Sequence, residues 1–341
     1  MISWEIKKLI KSKGMIISLV ILTFTLLIMS FIKPTLEIEN SYIDEQKGYI
    51  QDNKDKLEIA NEKFDIKLSV LEDMVNQKND GDEFSKTLTS IAKEKIDNLK
   101  SSKYEDIGFW QVFSYRATNP LINIAMLVII MIIISNLYTD EIISSVKDII
   151  LSSKQKKKAL NAKIIVSFLI PIVIYSIYLS VAFIITYIEY GSPINGNLEA
   201  FRIVDNIAML NGNPTINQYV LTNIIIALLM FEGWAMVSMF CSFISTSSIS
   251  SISVFGLFIV LGKVITTIKF MPSIILSVFL YGNYYDLIFS FKNIIASYMG
   301  EVSILGHGVS IVNLIIIVLI VIFIVSTTLC FGISRTKYIN R

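Results

Sequence analysis

The sequence predicts an all-α polytopic membrane protein, and three observations carry that expectation. Of its 341 residues 53% are hydrophobic and only 17% charged, with a mean hydropathy of +0.63, whereas soluble domains carry about 25% charged residues. The apolar residues gather into six long runs, close to the ~20 residues that a helix needs to cross a bilayer. Lysine and arginine concentrate in three segments that alternate with those runs. The net charge of +2 gives no pull towards nucleic acid. Cys241 and Cys330 lie in separate apolar runs, which excludes a disulfide framework.

Taken in order, residues 1–32 combine a surface helix with the first span. Over residues 2–13, Ile2, Ile6, Leu9 and Ile10 fall on one side of a helix, while Lys7, Lys8 and Lys11 cluster with Trp4 on another. Such a helix lies along the membrane surface; the rival reading is a plain basic flank that fixes topology. The apolar run 15–32 is longer than the core of a signal peptide and lacks a small-residue cleavage site, so it reads as a retained span.

Residues 33–116 hold 18 acids and 13 bases, too polar for lipid. Leu57, Ala60, Phe64, Leu68, Leu71 and Val75 recur at helical spacing, residues 79–82 form a polar turn, and Phe84, Leu88, Ile91 and Leu99 repeat the pattern. An antiparallel helical hairpin outside the membrane follows. A solvated spacer and a substrate or partner gate both fit it.

The second span lies in 117–138 and a basic block in 139–163. The third to fifth spans fill 164–268, on the runs 164–188, 219–244 and 249–268, with Pro171 expected to kink the third. Residues 269–310 are too weakly apolar to span. Within them, 272–281 suits a re-entrant or interfacial helix, and Tyr281, Tyr284, Tyr285 and Tyr298 suit the headgroup level. The last span and a tail occupy 311–341. Lys7, Lys8, Lys11 and Lys13, the six lysines of 139–163, and Arg335, Lys337 and Arg341 then share one face, which the positive-inside rule makes cytoplasmic. Both termini fall there, and 33–116 and 189–218 fall outside.

Enzyme signatures are missing from the sequence. The nearest approach to a phosphate-binding loop, Gly256 to Gly262 followed by Lys263 and Val264, has five intervening residues and no hydroxyl after the lysine. The sole histidine, His307, reads as a turn residue outside the membrane, since one histidine cannot build a usual zinc site. The acids around Asp80 and Asp82 lack the twelve-residue calcium spacing.

Glu232 is the clearest ionisable residue inside a span, and such residues are functional candidates by default. Twelve Ile, Leu, Val or Phe residues accompany it in the run 219–244. Each contributes roughly −0.3 to −0.6 kcal/mol against about +3 for one central charge, so insertion still wins. Lys263 is expected to snorkel rather than pair with it: the two lie ~20 Å and ~8 Å from the outer ends of their helices. Glu232 is left between a hydrogen-bonding role at a helix interface and a place on a substrate path or dimer surface.

The block 139–163 reads TDEIISSVKDIILSSKQKKKALNAK. Thr139 is expected to cap a helix with Asp140 and Glu141 in its first turn, with Ile142, Ile143, Val146, Ile149 and Ile150 as a stripe and Ser152 and Ser153 as a turn. With the N-terminal WEIKKLIKSKG and the large external insertion, this block resembles the permease subunit of ABC-2 type transporters. Glu141 matches the family's glutamate, residues 149–151 its apolar helix, Ser152 and Ser153 its turn, and Lys163 its terminal lysine. Ser145 and Val146 stand where glycine and threonine are usual, Lys154 replaces a proline, and lysines replace an arginine.

The resemblance implies half of a twelve-span exporter in a bacterial cell membrane, paired with a second permease copy or paralogue. ABC ATPase subunits would be separate and carry the ATP and Mg, so this chain would bind no cofactor of its own. It implies that 139–163 is a coupling helix and that Trp4, Lys8, Glu141, Lys147 and Lys154 contact the ATPase. The expected function is export of a hydrophobic or amphipathic substrate, a peptide by preference because a large external domain suits a bulky cargo. The rival from another class is a membrane-anchored receptor or assembly factor whose hairpin binds a protein.

Overall fold

The computed structural model of the chain describes every residue except 45–47, 52–53, 77–82, 100–103, 205–209, 211, 269, 271, 296, 305–306 and 340–341. Its helices are α1 (Ile2–Ile10), α2 (Lys13–Met29), α3 (Lys56–Asn76), α4 (Glu83–Leu99), α5 (Gly108–Ala117), α6 (Pro120–Ile143), α7 (Lys147–Ser152), α8 (Lys156–Tyr190), α9 (Ile216–Ile244), α10 (Ser248–Ile265), α11 (Ser273–Gly282), α12 (Tyr284–Ile295) and α13 (Ile311–Ile333). Among the described residues five stretches are long and apolar enough to cross a membrane, formed by α5 with α6, by α8, α9 and α10, and by α13 with its extension. A sixth follows if α1 and α2, bent by 67°, count as one. The protein is therefore a mostly helical, membrane-spanning chain.

Among the described residues two short hairpins depart from the all-α expectation. β1 (Ser41–Asp44) pairs antiparallel with β2 (Gly48–Gln51), and β3 (Glu301–Ile304) with β4 (His307–Ser310). Each strand has four residues, too few for alternation to stand out from helical spacing. His307 thus opens a strand.

The bundle is organised around α9, which packs against α6, α8, α10 and α13. Met230, Phe231, Trp234, Ala235 and Met239 are fully enclosed along it. Small polar residues let the α6 backbone approach closely: Ser135 meets the Ser238 hydroxyl at 3.5 Å, and the Ser242 hydroxyl donates to the Ser135 carbonyl at 3.2 Å. α8 runs as one helix through Pro171.

At one end, the break between α5 and α6 is made by the Asn119 cap, whose side chain accepts from the Leu121 N–H at 2.9 Å ahead of Pro120. The last carbonyls of α5 are satisfied from α8: Tyr178 donates to Arg116 and Tyr175 to Ala117, both at 2.9 Å. Buried Arg116 donates to the Ile32 carbonyl at 3.1 Å, to Thr186 at 2.9 Å and to Glu189 at 2.7 Å. It thereby ties α5 and α8 to the segment that follows α2.

At the same end α3 and α4 pack against one another. Ile59, Ala60, Phe64 and Leu71 of α3 and Ala92 and Ile96 of α4 are buried, whereas Leu57 is exposed. Phe64 packs on Phe201 with ring centres 5.9 Å apart, and the Lys67 ammonium donates to the Arg202 carbonyl at 2.8 Å. Phe84 stacks on Tyr298 at 5.6 Å. Tyr298 and Tyr284 are buried, and Tyr285 is exposed; the side chain of Tyr281 lies outside the described residues. The expected turn at 79–82 also lies outside them.

The bend between α11 and α12 enters the bundle. A Cβ on Gly282 would meet Ile315 of α13 at 3.1 Å, one on Gly262 of α10 would meet Asn283 at 3.0 Å, and one on Gly233 of α9 would meet the Tyr284 hydroxyl at 2.7 Å. Glycine is what permits these approaches.

Candidate functional site

The opposite end of the bundle holds the N-terminus, the α6–α7–α8 turn region and the α9–α10 turn. Ser12 separates α1 from α2: its side chain accepts from the Met15 N–H at 3.1 Å and caps α2. The elbow therefore has a local sequence cause.

The 139–163 block folds differently from its sequence expectation. Thr139 does not start a helix: α6 continues through it to Ile143, and its hydroxyl donates back to the Ser135 carbonyl at 2.6 Å and contacts Ser248 at 2.8 Å. The apolar periodicity of the span simply runs on through Ile142 and Ile143. Asp140 and Glu141 consequently sit in the last turn of α6, where the helix dipole disfavours acids. Two lysines offset that cost. Ser145 reverses the chain at φ +58°, a left-handed backbone uncommon outside glycine. The short helix α7 follows, and then Ser153, Lys154 and Gln155 lead into α8.

Glu141 is the centre of a buried ion-pair cluster. It is 2% exposed, and its Oε1 accepts from Lys8 at 2.6 Å and from Lys163 at 2.7 Å. Lys163, 0% exposed, also donates to Glu5 Oε2 at 3.0 Å and to the Leu137 carbonyl at 3.1 Å. Lys8 lies 3.9 Å from Glu5. The cluster joins α1, α6 and α8. Dry ion pairs hold only when geometry and extra hydrogen bonds offset desolvation, and the Leu137 carbonyl supplies one such bond.

The expected contact residues therefore separate. Glu141 faces inward and is taken up by lysines of the same chain, so the surface contact expected of it is corrected to an internal one. Lys8 is half-buried, bonded to Glu141, with its ammonium 5.7 Å above the Trp4 ring, and Trp4 itself is exposed. Lys154 is exposed and Lys147 half-buried. Ile143, Val146 and Ile149 expose an apolar strip beside them, with Ile149 69% exposed. Glu5 and the partnership of Lys163 went unforeseen. Their separation of 158 positions carries no local signal, although a lone acid among the lysines of α1 is the one hint.

Glu232 lies elsewhere, on the enclosed face of α9. It is 5% exposed, and among the described residues neither carboxylate oxygen has a hydrogen-bond partner. Lys263 is not its counterion. It pairs with Asp286 of α12 at 2.9 and 2.8 Å, and Asn283 donates to the same carboxylate at 2.7 Å. Among the described residues no group of three or more His, Cys, Asp or Glu could hold a metal ion.

In the α3–α4 region Lys95 is buried and donates to the Leu210 carbonyl, at the edge of a cavity of about 340 Å³. Burial pushes its amine down to about 8, against an opposing pull from Glu94.

Compared with known proteins, the chain matches no family model, no curated protein and no solved structure.

Proposed function

We propose that this chain is the permease subunit of an ABC-2 type exporter, paired with a second permease and driven by separate ATPase subunits that dock at its α1 and α7 end. The observation that carries the reading is the 2.7 Å contact between Glu141 and Lys163. These are the two charged ends of the block that resembles the family, and they close onto each other across 22 positions. Ser145 supports it as well: its left-handed backbone falls where the family carries glycine, the residue that such a backbone favours.

In this reading the buried cluster couples a docked engine to the bundle. Force applied to α7 passes to α6 and α8, because Lys163 and Glu141 hold those helices together and Lys8 and Glu5 hold α1 to both. The exposed strip of Ile143, Val146 and Ile149, flanked by Lys147 and Lys154, is the docking surface. ATP and Mg would sit on the partner.

Residues 33–116 would stand outside the cell as a helical hairpin, with both termini inside. α11 and α12 would form a re-entrant pair, a reading supported by their bend against Gly233 and Gly262. Glu232, with no hydrogen-bond partner among the described residues, would lie on the substrate path or the interface with the second permease. The cargo is hydrophobic or amphipathic, with a peptide preferred.

The test is ATP hydrolysis by the protein purified from its own membrane in mild detergent. Hydrolysis should accompany the wild-type chain and be lost from Ile149→Glu and Lys154→Glu variants that still insert. Hydrolysis retained by both variants, or none with the wild type, contradicts the reading.

A further inference from the structure

We propose that the cavity at the elbow between α1, α2 and α6 binds the primary ammonium headgroup of a zwitterionic membrane lipid of the phosphatidylethanolamine class. The cavity has a volume of about 190 Å³. Glu5, Lys8, Ser12, Asn136 and Asp140 line it over an apolar floor of Ile133 and Leu137. Of the charged groups that line it or contact its lining, three are carboxylates, on Glu5, Asp140 and Glu141, and two are ammonium groups, on Lys8 and Lys163, while Lys11 and Lys13 stand exposed at the elbow.

Glu5 points to a ligand independently of that count. Its Oε2 accepts from Lys163 at 3.0 Å, but its Oε1 is buried with no hydrogen-bond partner among the described residues, and the residue is 1% exposed. A buried polar atom left unpaired is costly. An ammonium with N–H donors entering between Glu5 and Asp140 satisfies it, and Asn136 offers a further acceptor at the rim. A trimethylated choline group has no N–H to give, so the site selects a primary amine.

The position of the cavity favours a lipid over a free cation. α1 turns through 67° into α2 here, and Ile2, Trp4, Ile6 and Ile10 are exposed on α1 beside the exposed, apolar α2. A surface helix of this kind lies at headgroup depth. Lys11 and Lys13 are exposed at the elbow, and the N-terminus of α2 adds positive potential. A headgroup phosphate placed there leaves its ammonium free to reach Glu5.

The inference does not depend on the exporter reading. It is tested on the full-length protein, delipidated in detergent and reconstituted into nanodiscs of phosphatidylethanolamine, phosphatidylcholine or phosphatidylglycerol mixtures. Native mass spectrometry then counts the lipid retained. Phosphatidylethanolamine should be retained in preference to the other two, and Asp140→Asn should cut that preference about ten-fold, as expected for loss of one charge-assisted bond. Glu5→Gln should do the same, but it also disturbs the Lys163 contact. Asp140→Asn is therefore the deciding variant. Equal retention of the three lipids, or an unaltered preference in Asp140→Asn, overturns the proposal. So does competition by free ethanolamine or potassium at the lipid's own concentration, which would mark a soluble-cation site.

Discussion

Lys163 of α8 and Glu141 of α6 are bonded at 2.7 Å with both side chains out of solvent, and Glu5 of α1 shares the same ammonium at 3.0 Å. One lysine thus bridges acids from two other helices. Lys163→Met should leave those acids buried with a single half-buried lysine between them. A loss of about 3–5 kcal/mol is expected for breaking a buried pair from one side. Thermal unfolding in detergent checks it. Adding Glu141→Gln should recover part of the loss, and an unaltered melting temperature in Lys163→Met would show that the pair is not formed.

Gly233 and Tyr284 give a steric prediction. A Cβ at Gly233 would lie 2.7 Å from the Tyr284 hydroxyl, and that ring is held in edge contact with Trp234 at 6.0 Å. Gly233→Ala should cost about 1–3 kcal/mol by overpacking. Tyr284→Phe in the same background should relieve most of it. Equal stability of Gly233→Ala and wild type would contradict the close approach.

The Lys263–Asp286 pair should matter less. Its lysine side chain is 45% exposed, and exposed pairs contribute about 0–1 kcal/mol. A double-mutant cycle with Lys263→Met and Asp286→Asn should return a coupling in that range. The exchanged pair, Lys263→Asp with Asp286→Lys, should be more stable than either charge reversal alone.

Lys95 makes a pH prediction for the α3–α4 region. Burial holds its amine at about 8, below the ~10.4 of an unfolded chain. Between those values the unfolded state binds more protons, so stability rises with pH across that window and is flat in this respect below it. Unfolding followed from pH 7 to 10 should show that rise in the wild type. Lys95→Met should flatten it.

The spans were legible because a run of apolar residues states its own length and solvent, and helical spacing marked Ala60, Phe64 and Leu71 of α3, which are buried; on α4 the expected Phe84, Leu88 and Ile91 are only half-buried, and Ala92 and Ile96 take the buried positions. What escaped depended on partners distant in sequence. Thr139 looks like a helix start in isolation, yet the apolar periodicity carries α6 past it, and Lys8 and Lys163 neutralise the acids that the dipole would otherwise expel. Glu141 looks like a surface acid until α1 is folded over it. Lys263 appeared alone because Asp286 lies in a segment whose weak hydrophobicity hid its entry between the helices. The strands β1 to β4 were too short to announce themselves.

The proposed function turns on the side of the membrane on which Lys154 lies. Cys241 and Cys330 are buried, so single cysteines introduced at exposed Lys154 and Lys86 can be labelled over a low background. A membrane-impermeant maleimide should label Lys86→Cys on intact cells and Lys154→Cys only after permeabilisation. Labelling of Lys154→Cys from outside would put α7 beyond the reach of any cytoplasmic ATPase and contradict the proposed function.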